Sequence, residues 1–210
     1  MTNKKIFEFI EQMKNTSDTN SVIAKFEKEL NADEYKRVNK AELSARKRGL
    51  KAIIKNQFGA FSIGAISNNG KCYVTDGISA FVGESVDDVN MRDVEDVTIE
   101  HRNPAKLCEQ VEAFVKCSAE DVVIDIDYQD IVAKYEIALK EKKETKTDIH
   151  YCVNGVVDVG GRFLNIQYVK AACESVGFKN VRMYINSKNT VCFVGSHGRC
   201  AVACCSRPNK

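Results

Sequence analysis

The sequence predicts a mixed α+β protein in which a unit of one helix followed by antiparallel strands recurs along the chain, preceded by an extra N-terminal helical segment. Three observations predict it. Apolar residues recur at helical spacing in residues 3–14, 20–31, 34–55, 103–117 and 165–177. Short β-type runs punctuated by Asn-Gly, Asp-Gly and Gly-Gly pairs fall between and after these helices. Two stretches also superpose on one another. Asn103, Leu107, Val111 and Phe114 lie 62 positions before Asn165, Val169, Cys173 and Val176, and Val122, Ile124 and Ile126 lie 59 before Val181, Met183 and Ile185. Self-similarity at a near-constant offset carries more weight than a single motif.

Taken in order, Ile6, Phe9, Ile10 and Met13 share one helical face, and Asn15 to Ser21 is a loop rich in N-cap residues. A second helix is expected to stop at Asn31-Ala32-Asp33, and a longer one to run from Glu34 to Lys55, weakened at Gly49. Residues 58–66 read as a strand, Asn68-Asn69-Gly70 as a hairpin turn, 71–75 as its partner and 78–82 as a third strand. After an acidic stretch and a short strand at 97–100, Asn103-Pro104 supplies an N-cap and a first-turn proline. Val122, Ile124 and Ile126 alternate with aspartates, as in a half-buried strand. Residues 131–139 (IVAKYEIAL) read as a further strand, paralleling 190–194, and 140–148 as a charged loop. Residues 149–159 read as extended, Gly160-Gly161 as a turn, and Asn165 and Gly177 as the start and stop of a helix. Strands at 181–185, 190–194 and 199–205 follow.

A chain of 210 residues accommodates one large domain or two small ones, and 44% hydrophobic residues suffice for a packed core. No run approaches the roughly 18 apolar residues of a membrane span. The N-terminal apolar cluster, broken by Glu8 and Glu11, is too short and too charged for a secretory core, so a cytoplasmic location without a membrane partner is expected. The nine cysteines form no CxxC pair, and several sit in apolar runs, so they read as packing residues in a reducing compartment. His101, His150 and His197 are dispersed, and the HxxCxxxCC run from His197 has no usual zinc spacing. No phosphate-binding loop, HExxH or GxSxG motif occurs. The sequence therefore predicts no catalytic residue, no metal and no cofactor.

Charge is distributed unevenly although the net charge is only +2. Between Tyr35 and Asn56 lie Lys36, Arg37, Lys40, Arg46, Lys47, Arg48, Lys51 and Lys55, opposed only by Glu42, whereas between Glu84 and Glu100 lie seven acids opposed only by Arg92. A helix this basic can lie along a phosphate backbone. It can equally be a solvated face, or dock on the acidic segment of another copy.

Phe163-Leu164-Asn165, the helix to Val176, Val181-Arg182-Met183 and the closing Ala201 to Arg207 together resemble the bacterial and phage DNA polymerase sliding clamps. Residues 59–82, a hairpin before a Thr-Asp-Gly turn, resemble the same family. The resemblance covers roughly residues 58–82 and 103–207, and departs where Cys205 and Ser206 replace the family's proline-methionine pair. It implies DNA clamp-like repeats, divided as an N-terminal helical extension (1–34), a first unit (35–100) and a two-unit domain (101–210). Three units per chain, against six in a full subunit, imply four chains for a closed ring, three if residues 3–31 form a degenerate unit, or a clamp fold without a ring. The implied function is a non-enzymatic processivity or scaffold factor. It would bind double-stranded DNA without sequence preference, self-associate, and hold a polymerase or other replication protein near Cys204, Cys205, Ser206 and Arg207. The alternative is a clamp-fold protein-interaction module that does not bind DNA.

Overall fold

Helical periodicity with no internal Gly or Pro carries α1 (Asn3–Asn15) and α2 (Thr19–Val38) across most of the N-terminal segment. Asp18 caps α2 by accepting from the Ser21 amide at 3.2 Å, and Phe9 meets Phe26 edge-to-face with centroids 5.1 Å apart. The expected stop at Asn31-Ala32-Asp33 is instead helix interior, because nothing in that tripeptide breaks a helix whose neighbours on both sides favour it. The computed structural model describes residues 3–38, 40–55, 64–86, 89, 91–93, 103–118, 120–185 and 189–205. Contacts divide the chain into two compact units, 1–43 and 44–210, and α3 (Lys40–Lys55) is continuous from the first into the second.

The second unit is a mixed sheet with helices on both faces. Its strands are β1 (Gly64–Asn68), β2 (Lys71–Thr75), β3 (Ser79–Gly83), β4 (Met91–Asp93), β5 (Val122–Asp125), β8 (Arg182–Ile185), β9 (Thr190–Gly195) and β10 (Gly198–Ala203); a separate hairpin pairs β6 (Val156–Val159) with β7 (Arg162–Asn165). The order is β4-β1-β2-β3-β10-β9-β8-β5, antiparallel throughout except where β4 runs parallel to β1. The predicted β1–β2 turn is present. Asn69 and Gly70 both have positive φ, 50° and 74°, as a tight hairpin turn requires.

Residues 131–139, expected as a strand, lie inside α5 (Tyr128–Thr145). Ile131, Tyr135 and Ala138 fall at helical spacing and turn inward, and Asp127 caps the helix by accepting from the Gln129 amide at 2.8 Å. The following Lys- and Glu-rich run, expected as a loop, simply prolongs the helix. Residues 149–155 form two short 3-10 turns instead of an extended segment. The strand expected at 97–100 lies outside the described residues.

The internal correspondence therefore differs from the one legible in sequence. α4 (Pro104–Phe114) and β5 lead into a helix, whereas α6 (Ile166–Val176) and β8 lead into a strand. The regular relation joins two more distant segments, β1-β2-β3 and β8-β9-β10. Val74 pairs with Phe81, Phe193 pairs with Cys200, and Phe81 pairs with Cys200 across the seam. Val74 and Phe193, like Phe81 and Cys200, are 119 residues apart, so an approximate dyad passes between β3 and β10.

Alternation in these strands builds two cores. Cys72, Val74, Phe81, Phe193, Cys200 and Val202 face α3, α5 and α6 through Leu50, Ile53, Ile131, Val169 and Val176. Ile66, Tyr73, Ala80, Val82, Cys192 and Ala201 face α4 on the other side through Leu107, Cys108, Val111 and Val115. α3 and α6, which precede the two meanders, thus lie on one face. They approach so closely that a Cβ on Gly49 would stand 2.6 Å from both the Ala171 oxygen and the Ser175 nitrogen. Alanine in a helix interior normally gains about 1 kcal/mol over glycine. Here the facing atoms are backbone, so overpacking of about 1–3 kcal/mol decides the sign. Gly49→Ala is expected to lower the urea midpoint; an unchanged or raised midpoint would show that the two helices do not meet there.

Candidate functional site

α3 presents two chemically different sides. Ala45, Arg46, Gly49, Leu50 and Ile53 are buried, whereas Ser44, Arg48, Lys51 and Lys55 are exposed and Lys47 is half-buried. Lys47, Lys51 and Lys55 follow at i, i+4 spacing, which strings three ammonium groups along about 12 Å of one helix face. Lys40 is exposed in the first turn of the same helix. Lys36 and Arg37 lie on α2, and their side chains are outside the described set.

The two arginines between these lysines have structural tasks. Arg46 is 2% exposed, and its Nη2 donates to the Glu84 carbonyl at 2.8 Å, fixing the chain just beyond β3. It faces the protein interior and is not placed to meet a phosphate. Arg48 reaches sideways, its Nη2 donating to Glu174 Oε1 at 3.0 Å. Partial burial works against the Arg48 charge, but the hydrogen bond and charge of Glu174 outweigh it and raise its pKa.

Glu174 is the centre of this arrangement. It sits on α6, 2% exposed, and the same Oε1 also accepts from Lys170 Nζ at 2.8 Å and from the Tyr128 hydroxyl at 2.7 Å. Three helices, α3, α5 and α6, are thereby tied to one carboxylate. Burial, followed by the bond to Glu174, pushes the Tyr128 hydroxyl well above its ordinary value, so it remains a donor. The i, i+4 pair Lys170–Glu174 was legible in sequence; the convergence of Arg48 and Tyr128 was not, because it depends on α5 being a helix.

The C-terminal candidates lie on a different edge. The Cys205 amide donates to the Phe163 carbonyl at 2.8 Å and the Cys204 amide to Asn189 at 3.0 Å, which fastens the end of the described chain to β7 and to the start of β9. Cys204 is half-buried and Cys205 exposed, and burial raises both thiol pKa values. Ser206 and Arg207 lie outside the described residues.

A cleft of about 420 Å³ opens at the other end of the sheet, lined by Lys71, Glu84, Glu112, His197 and Arg199. Lys71 Nζ and the Tyr73 hydroxyl both donate to Glu112 Oε1, at 2.8 and 2.9 Å, and the Lys71 bond is the main reason the Glu112 carboxyl lies below its usual pKa. His197 Nδ1 lies 2.7 Å from Glu84 Oε2. Four of these five side chains are thus engaged in pairs, Lys71 with Glu112 and Glu84 with His197. Among the described residues no group of three or more His, Cys, Asp or Glu is placed to hold a metal ion, and no helix is long and apolar enough to cross a membrane. Cys200, in the run from His197, is buried in the core.

Comparison with known proteins adds no relative: no protein-family model, curated protein or solved structure matches the chain. The site therefore rests on its own geometry, which separates the contributions of its charges. Glu174→Ala leaves Lys170 and Tyr128 without their shared acceptor and is expected to cost about 2–4 kcal/mol. Arg48→Met, at a mostly exposed partner, should cost less than about 1 kcal/mol. Chemical denaturation of both variants checks the ratio; equal losses would mean that Arg48 carries the cluster.

Proposed function

We propose that the protein is a non-enzymatic, clamp-like scaffold that lays α3 along the backbone of double-stranded DNA and holds replication proteins elsewhere on its surface. One observation carries the reading. Lys47, Lys51 and Lys55 line one face of a helix whose opposite face is locked against α6 and the sheet, so the charges are held on a rigid support. Lysine is a hydrated point charge on a flexible stem, suited to phosphate attraction that ignores base identity. In this reading α3 alone meets the duplex, since no residue of α6 is exposed. Self-association brings further copies of α3 to the same DNA, and the segment ending at Cys204-Cys205 holds the partner protein.

A second reading, a protein-interaction module that does not touch DNA, is favoured by a different feature. β5 is the outer strand of the sheet, and Val122, Val123 and Ile124 are exposed along it at 61%, 49% and 37%. An apolar edge strand invites pairing with another chain.

Salt-dependent binding separates the two. A protein that neutralises phosphates with lysines releases counterions, and each contact contributes about 0.9 to the slope of log affinity against log salt. The triple variant Lys47→Gln/Lys51→Gln/Lys55→Gln is expected to bind a duplex more weakly and with a slope shallower by about 2–3. Light scattering on the same samples reports self-association. A strict monomer with no salt-sensitive retention of DNA would leave only the interaction-module reading.

A further inference from the structure

Cys117 and Cys192 are far apart in sequence, yet they share one acceptor. Cys192 Sγ donates to the Val115 carbonyl at 3.2 Å, and Cys117 Sγ lies 3.8 Å from the same oxygen, which holds the two sulfurs within 7.0 Å of each other. Cys117 follows the C-terminal end of α4 and is half-buried, whereas Cys192 is buried in β9 beneath that helix. We infer that Cys117 and Cys192 form a reversible disulfide in response to hydroperoxides, with Cys117 as the attacking thiol and Cys192 as the resolving one. This inference is independent of the DNA-binding reading.

The two thiols are chemically unequal, and the inequality decides which is oxidised first. Proximity to Cys192 is the largest influence holding the Cys117 thiol below its ordinary pKa; burial opposes it, the Arg199 charge assists, and Asp121 opposes. The same proximity, together with burial, drives the Cys192 thiol far upward, so it keeps its proton. A thiolate that is partly accessible and close to a cation is the reactive form of cysteine.

The chemistry balances with hydrogen peroxide as the oxidant. The Cys117 thiolate attacks one peroxide oxygen; an S–O bond forms, the O–O bond breaks, and hydroxide leaves and is protonated to water. The Cys192 sulfur then attacks the sulfenic sulfur; an S–S bond forms, the S–O bond breaks, and the hydroxyl departs as water with the Cys192 proton. One peroxide is reduced by two electrons, two thiols become one disulfide, and a small dithiol reverses the change. The new bond would fasten the segment after α4 to the middle of the sheet.

Exposure alone predicts a different first target, because Cys205 is the exposed thiol among the nine. The test treats the full chain with stoichiometric hydrogen peroxide and follows intact mass, non-reducing peptide maps and thermal unfolding. The expected result is a loss of about 2 Da, a peptide linking Cys117 to Cys192, reversal by dithiothreitol and a melting temperature raised by about 5–10 °C. Cys117→Ser and Cys192→Ala should each abolish the link, and Cys204→Ser/Cys205→Ser should leave it intact. Should the buried Cys192→Ala variant fold poorly, the alkylation rate of Cys117 in the wild-type chain supplies the same information: it should reach half its maximum below the pH at which Cys205 does. A link elsewhere, a stable oxygen adduct on Cys117, or Cys205 reacting first would overturn the inference.

Discussion

Val82 and Arg199 are paired neighbours in the sheet, yet α4, α5 and α6 all lie between them in sequence. This seam between β3 and β10 must close before either three-stranded meander gains a continuous second half to pack against. Closing so long a loop costs conformational entropy that grows only slowly with length, but none of it is recovered until the strands meet. Once they meet, Phe81 and Cys200 become direct partners, and both lie at the centre of the core beneath α6. The approximate dyad is a consequence of this pairing: two copies of the same local order, joined by their last strands, leave their leading helices together on one face.

The helices on that face are held by a combination of shape and charge. Gly49 permits the close approach of α3 to α6, and Glu174 then has a buried oxygen within reach of groups from three helices. A carboxylate so deeply buried would be costly alone; with two cations and a hydroxyl converging on it, the cost is offset and the geometry becomes selective. Lys170 also lies over the Tyr135 ring at 5.2 Å, linking α5 to α6 a second time. The two outer strands break the approximate symmetry. β4 joins β1 in parallel, whereas β5 joins β8 antiparallel, so the two ends of the sheet offer different edges to solvent.

What the sequence revealed follows from how local each signal is. Asn165 and Gly177 bracket α6, and Asn69-Gly70 fixes a hairpin, because capping and positive-φ turns are decided within a few residues. IVAKYEIAL misleads because its β-branched and aromatic residues suit a strand while Ile131, Tyr135 and Ala138 also satisfy a helical period, and only packing against α6 decides. The correspondence at 62 and 59 positions aligned helices that face opposite sides of the sheet; the relation at 119 is carried by strand register, to which an apolar pattern is nearly blind. The eight basic residues from Lys36 to Lys55 looked equivalent in sequence, although Lys36 and Arg37 belong to α2 and the other six to α3. The inward turn of Arg46 and the sideways reach of Arg48 depend on Glu84 and Glu174, both distant along the chain.

That division among the basic residues bears directly on what α3 can do. Guanidinium groups are planar and offer several donors, so they suit fixed partners such as a carbonyl or a carboxylate, and Arg46 and Arg48 are used in that way. Besides Arg48, whose guanidinium is bound to Glu174, the outward side carries ammonium groups, which are strongly hydrated and impose little geometry on an anion. A helix arranged for base recognition would need the opposite distribution, with forked donors outward and point charges inward. On the proposed reading, rigid support below and undemanding charge above are what would let α3 accept a uniform polyanion without fixing its position along the helix.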